Sequence, residues 1–305
     1  MNSEPGWQSS GRWRSPVAWV AIFFGGLFLA ALVAPAAYAV FLTVEPDLRL
    51  PLSRVFNRAA MLAALVMLVV FRRDIGWPEV KALFGRGAKV ERCREVAIGW
   101  AAALLTISGG IAWALASDRL GPTLNEYSFI SVGTLTAFTG GLTAAAIEEM
   151  FFRGMMLHSL TATLGRSMAV VTSSAAYALV HLLVSDRTFV WTGWSFGTGF
   201  SYLFHAVGRQ LEPTSIGPLL GLFLGGVVLA LVVSKTRSLY LAIGIHAGWA
   251  FVFQVMFHAT RLIGDIPSTP HFVRRNFLLG TGWVWAVMVF SGLLAVWWIR
   301  RSRRV

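Results

Sequence analysis

Ala144-Ala145-Ala146-Ile147-Glu148-Glu149-Met150-Phe151-Phe152-Arg153-Gly154-Met155-Met156-Leu157 sets two carboxylates and a guanidinium inside an otherwise apolar run. An ionised side chain at the centre of a membrane helix costs roughly 2.5 to 3.5 kcal/mol on insertion scales, so such residues point to function and their partners decide which one. Glu149 and Arg153 are four apart and share a helix face, with the acid N-terminal to the base in the favourable order. They can neutralise each other. Glu148 is rotated about 100° from Glu149, so that guanidinium cannot satisfy it as well, and it needs another partner or a proton.

The rest of the chain agrees with a membrane setting. Of 305 residues, 56% are hydrophobic and 13% charged, and the mean hydropathy is +0.66. No soluble domain is evident. Apolar stretches suited to spans of about 20 residues run approximately 17–43, 57–71, 96–117, 134–160, 168–184, 216–234, 239–260 and 278–299. The expected fold is all-α, a polytopic helix bundle of about eight transmembrane helices with an intramembrane catalytic cavity. Residues 1–133 would hold helices 1–3 and a basic loop, 134–260 the catalytic core of helices 4–7, and 261–305 the last helix and a basic tail.

The net charge of +12 would point to nucleic acid in a soluble protein, but the basic residues fall mostly in short loops and form no recognised nucleic-acid motif. They write topology instead. With the N-terminus inside, sixteen of the 26 Lys and Arg residues are cytoplasmic, nine are outside and Arg153 lies within a span. The expected location is an integral, multi-pass one in a bacterial or archaeal plasma membrane, with both termini cytoplasmic and the lipid bilayer as partner. Cys93, the only cysteine, excludes an intrachain disulfide and a Cys-rich metal site, and is placed in a cytoplasmic basic loop. Ala37-Tyr38-Ala39 resembles a signal-peptidase site, yet the apolar run continues through Val40, Phe41 and Leu42, which favours an uncleaved anchor. Residues 188–207, uncharged and rich in aromatics and glycine, suit an interfacial or re-entrant element better than a ninth crossing. The small-residue faces Gly217/Gly221/Gly225 and Ala137/Gly141/Ala145 are read as helix-packing surfaces.

Two imidazoles lie in other apolar helices, His181 and His246. Helices four and five should form a hairpin turning near Gly165-Arg166, and Glu149 and His181 each stand sixteen residues from Gly165. Equal arms put them at similar depth. His246 lies about ten residues beyond the Lys235–Arg237 turn, hence about 15 Å into the membrane. A buried Glu can serve as general base to a water held by a His, and a second His can donate to a developing oxyanion. Each of these groups alone has a structural explanation; together, in separate helices, they are hard to ascribe to packing, because each adds desolvation cost. His158, His205, His258 and His271 lie near interfaces or loops or without an acidic partner, and are left out of the site.

At these residues the chain resembles the CPBP family, the type II CAAX prenyl-protease and bacteriocin-processing group of glutamate-type intramembrane proteases. Glu148, Glu149 and Arg153 match its first motif, and Tyr177 to His181 its second, with Tyr where Phe is usual. The third motif is a His followed four positions later by Asn or Asp, and here His246 is followed by Ala250. The resemblance covers approximately 134–257. It implies that Glu148 and His181 position the nucleophilic water, Glu149 and Arg153 form a supporting pair, and His246 donates to the oxyanion. The family's Asn assists that oxyanion, so its loss calls for Trp249, Gln254 or a backbone donor in its place.

The expected activity is an intramembrane endopeptidase that hydrolyses a peptide bond of a membrane-associated protein or peptide by a glutamate/histidine-activated water, without cofactor. A zinc site on Glu148, Glu149, His181 and His246 is the alternative, ranked lower because no His-Glu-x-x-His helix occurs and Arg153 accompanies the glutamates. A proton-coupled transporter would use the same buried groups, but no inverted repeat or paired broken helices are evident. A non-catalytic scaffold or immunity factor of the same fold is the third reading, and Ala250 is its best argument.

Overall fold

The computed structural model describes residues 14–45, 51–75, 88–118, 120–122, 132–183, 189–262 and 279–302. His271 and the basic residues Arg12, Arg49, Lys81, Arg86, Arg119, Arg187, Arg274, Arg275, Arg303 and Arg304 lie outside these. The described chain is almost wholly helical: α1 Arg14–Val44, α2 Leu52–Val70, α3 Lys89–Ala116, α4 Val132–Glu149, a π-helical segment Met150–Met156, α5 Leu157–Leu183, α6 Thr198–Gln210, α7 Pro213–Thr236, α8 Leu239–Ala259 and α9 Gly282–Ser302. Five of these helices, α1, α2, α3, α7 and α9, are long and apolar enough to cross a membrane by length and composition. Helices are what lipid demands, since they satisfy every backbone group internally. The protein is an integral, multi-pass helix bundle.

The expected hairpin is present. Helix runs from Val132 to Leu183 with its one non-helical break at Gly165, φ 75° and ψ 164°. That backbone region is essentially closed to residues with a Cβ, so a glycine has to make the turn. Three features differ from expectation. α3 begins at Lys89, seven residues early, so exposed Cys93 stands on a helix and not in a loop. The chain leaves the α-helical repeat at Met150, and Phe152 to Met156 of the π segment are buried. A short antiparallel ladder also pairs β1 Leu120–Pro122 with β2 Thr260–Leu262, in the register Leu120↔Leu262.

α3 lies along α8, α8 along α4, α5 along α7, and α9 packs against both α3 and α7. The N-terminal and C-terminal helices are therefore interleaved with the central ones. One apolar core joins them, from Trp19 on α1 through Phe152, Tyr177 and Leu229 to Met288 on α9. A second, smaller core unites α1, α2 and α6 around Phe56 and Tyr202, whose rings lie 4.7 Å apart.

Residues 189–207 lead into α6, a helix of 13 residues that runs on to Gln210. It is about 20 Å long, short of a hydrocarbon core about 30 Å thick. α6 leans on α1, where Gly199 meets the Ala31 carbonyl so closely that a Cβ would collide with it. Tyr38 of α1 is buried and stacks edge-on against Trp191 at 4.9 Å. The small-residue faces are contact surfaces: Gly221 abuts the Leu279 carbonyl, and Gly141 faces Ala250.

Candidate active site

Glu148 and Glu149 close α4, Arg153 sits in the π segment, Tyr177 and His181 lie one turn apart on α5, and His246 is on α8. Arg153 Nη1 donates to Glu149 Oε1 at 2.9 Å, and Nη2 donates to the Gly226 carbonyl at 3.2 Å. That carbonyl is within reach because α7 crosses α5 closely at Gly226, where a Cβ would stand 3.0 Å from that of Ser174. The guanidinium also lies over the Tyr177 ring, 4.4 Å from its centre. Both ion-pair side chains are fully sequestered, at 0% exposure. In that low dielectric the pair holds only because each charge has further partners.

His246 is fixed by the same carboxylate. Its Nδ1 lies 2.9 Å from Glu149 Oε1, and a carboxylate accepts, so Nδ1 holds the hydrogen. His181 is oriented through its own helix: Nδ1 is 2.9 Å from the Tyr177 carbonyl, which can only accept, so Nδ1 again is the donor. Its Nε2 then meets Glu148 Oε2 at 3.1 Å. That contact is an ion pair when the imidazole is protonated. His246 Nε2 also faces Glu148 Oε2, at 3.8 Å. One carboxylate oxygen thus looks at two imidazole nitrogens from different helices. The Glu148 and His181 side chains are 27% and 25% exposed, with Glu148 Oε2 itself buried, while the ion pair behind them is fully sequestered.

Residues 130–252 match the Rce1-like family, type II CAAX prenyl endopeptidase. A comparison with curated proteins found no match. The family match bears out the resemblance drawn from the motifs. At the level of family it supports a CAAX-type intramembrane protease, a membrane hydrolase acting on a membrane-embedded peptide substrate. Every residue of the cluster lies inside the Rce1-like segment, as does Ala250.

Glu148, Glu149, Arg153, His181 and His246 are all brought together. The expected Glu149–Arg153 pair forms in spite of the π turn between them. The equal-arm argument set Glu149 level with His181, yet the acid that meets His181 is Glu148, and Glu149 turns instead to His246. Outside the cluster, His158 is exposed and His205 rests against Phe189.

Two participants were missed from sequence. One is the Gly226 carbonyl, for which no side-chain pattern exists. The other is the Tyr177 hydroxyl, 3.4 Å from His246 Nε2, whose signal was the Tyr standing where the Rce1-like motif favours Phe. The two side chains named as substitutes for the missing Asn are placed elsewhere. Trp249 Nε1 donates to Ser291 on α9, and Gln254 is exposed. Ala250 turns its methyl toward Gly141 of α4. Among the described residues no group of three or more His, Cys, Asp or Glu side chains is arranged to hold a metal.

Proposed function

We propose that this protein is an intramembrane endopeptidase that cleaves a membrane-associated peptide by a glutamate-activated water. The observation that carries this is Glu148 Oε2 standing 3.1 Å from His181 Nε2 and 3.8 Å from His246 Nε2, on a partly exposed side chain beside a sequestered ion pair. With His181 protonated, Glu148 is a carboxylate and a competent base. It removes a proton from a water as the water oxygen bonds to the peptide carbonyl carbon. The carbonyl oxygen becomes an oxyanion beside His246. Glu148 then passes its proton to the amide nitrogen as the carbon–nitrogen bond breaks, releasing a carboxylic acid and an amine.

Glu149 and Arg153 act through His246. Oε1 accepts from both the guanidinium and Nδ1, so the ring cannot turn without breaking a buried charged hydrogen bond. The metal-free reading is supported by Arg153, whose charge 2.9 Å from Glu149 Oε1 opposes a second cation at that carboxylate. Ala250 speaks for the non-catalytic scaffold, in which Glu148 would be dispensable.

The decisive experiment compares membrane-proximal peptide termini in cells holding the native protein and its Glu148→Ala variant at equal abundance. Termini that vanish in the variant name the substrate and the scissile bond. Identical sets, together with full complementation by the variant, would favour the scaffold. Glu148-dependent proton flux in proteoliposomes without cleavage would favour a transporter.

A further inference from the structure

We infer that the Tyr177 hydroxyl is an oxyanion donor of the site, taking over what position 250 does not supply in this chain. The inference rests on the proteolytic reading above. His246 spends its Nδ1 hydrogen on Glu149, so as a neutral imidazole it presents a lone pair at Nε2 and has nothing to donate to an oxyanion. A donor that works whichever protonation state His246 adopts must come from another group. Trp249 bonds Ser291, Gln254 is exposed and Ala250 is a methyl against Gly141. The Tyr177 O–H is 3.4 Å from that same Nε2, the nitrogen that also faces Glu148 Oε2.

The phenol is preorganised. Its ring is covered by Arg153 at 4.4 Å, met edge-on by Phe152 at 5.3 Å, and tilted against His181 at 4.1 Å, and the residue is 5% exposed. A contact of 3.4 Å is long for a bond from a hydroxyl, whose usual length is about 2.7–2.8 Å to oxygen. A developing oxyanion is a far stronger acceptor, and rotation about the C–O bond turns the hydrogen to it with no movement of the ring. If His246 is protonated, its Nε2–H donates to the phenol oxygen and leaves the O–H aimed at the substrate. In both states Tyr177 touches the reacting oxygen, which makes it a catalytic residue and not a packing substitute for Phe.

The test uses the full-length protein in proteoliposomes and an internally quenched peptide spanning the bond cut by the native protein and spared by Glu148→Ala. Tyr177→Phe keeps the ring and its contacts, and is expected to lower kcat about 10²–10³-fold, as loss of one oxyanion donor does, with KM unchanged. Replacing Tyr177 by a difluorotyrosine, whose hydroxyl ionises at lower pH, is expected to move the alkaline limb of kcat down by the same interval. Native kcat in Tyr177→Phe overturns the inference while Glu148→Ala remains inactive, so the proteolytic reading survives it. A loss of kcat whose alkaline limb ignores fluorination assigns Tyr177 to packing and overturns it likewise. If no bond depends on Glu148, the reading and the inference fall together.

Discussion

Glu149 and His246, 97 residues apart in sequence, meet at 2.9 Å across α4 and α8. Because the accepting oxygen is also the one bound by Arg153, the second glutamate belongs to the orientation of His246 as much as to charge balance. On the proposed mechanism the two adjacent acids divide the work, Glu148 on a partly exposed side chain and Glu149 in the sequestered interior.

Glu148→Ala and His181→Ala should each abolish cleavage, by about 10²-fold or more as expected for loss of a general base or its partner, with little change in thermal stability in detergent. Both side chains are about a quarter exposed, so neither removal leaves a sequestered charge behind. A large fall in melting temperature for either variant would contradict the assignment of partly exposed and sequestered side chains.

Arg153→Ala should behave oppositely and destabilise the fold by about 3–5 kcal/mol, the usual cost of stranding one member of a buried ion pair. Glu149 would be left charged at 0% exposure. The double variant Glu149→Gln/Arg153→Met should recover most of the stability and none of the activity. Unfolding followed alongside peptide cleavage separates the two effects.

Exhaustive chelation should leave cleavage intact, and metal analysis of the purified protein should find less than one equivalent of zinc. Activity lost to the chelator and restored by zinc alone would replace the water mechanism with a metal-assisted one.

Cys93, exposed on the first turns of α3 and alone of its kind in the chain, reports orientation. A membrane-impermeant maleimide should label it in inverted vesicles and not in intact cells. The reverse pattern would put the termini on the far side of the bilayer.

Much of the site was legible because it depends on local spacing. The Glu149–Arg153 pair needs only the helical repeat, and it forms even though a π segment starts between the two residues. The hairpin turn needs only a residue that tolerates positive φ, and Gly165 is the glycine between the two charged arms. Helix ends were read less well. Lys89 to Glu95 carry charge, and nothing in a hydropathy pattern marks a helix that extends past the apolar layer. The β1–β2 ladder was illegible for another reason, since three-residue strands have no periodicity of their own.

The sequence by itself determined a multi-pass helical membrane protein, the chemistry of its buried groups and the depth at which two arms of a hairpin would bring acid and imidazole level. Tertiary structure decided which acid meets which ring, that Tyr177 turns its hydroxyl to His246, and that Gly226 lends its carbonyl to Arg153. The reason is geometric. One residue along a helix changes depth by about 1.5 Å but facing by about 100°, so counting residues predicts level well and partner poorly. Partner choice rests on how each helix is rotated against its neighbours, and that rotation is set by packing along the whole length of α4, α5, α7 and α8.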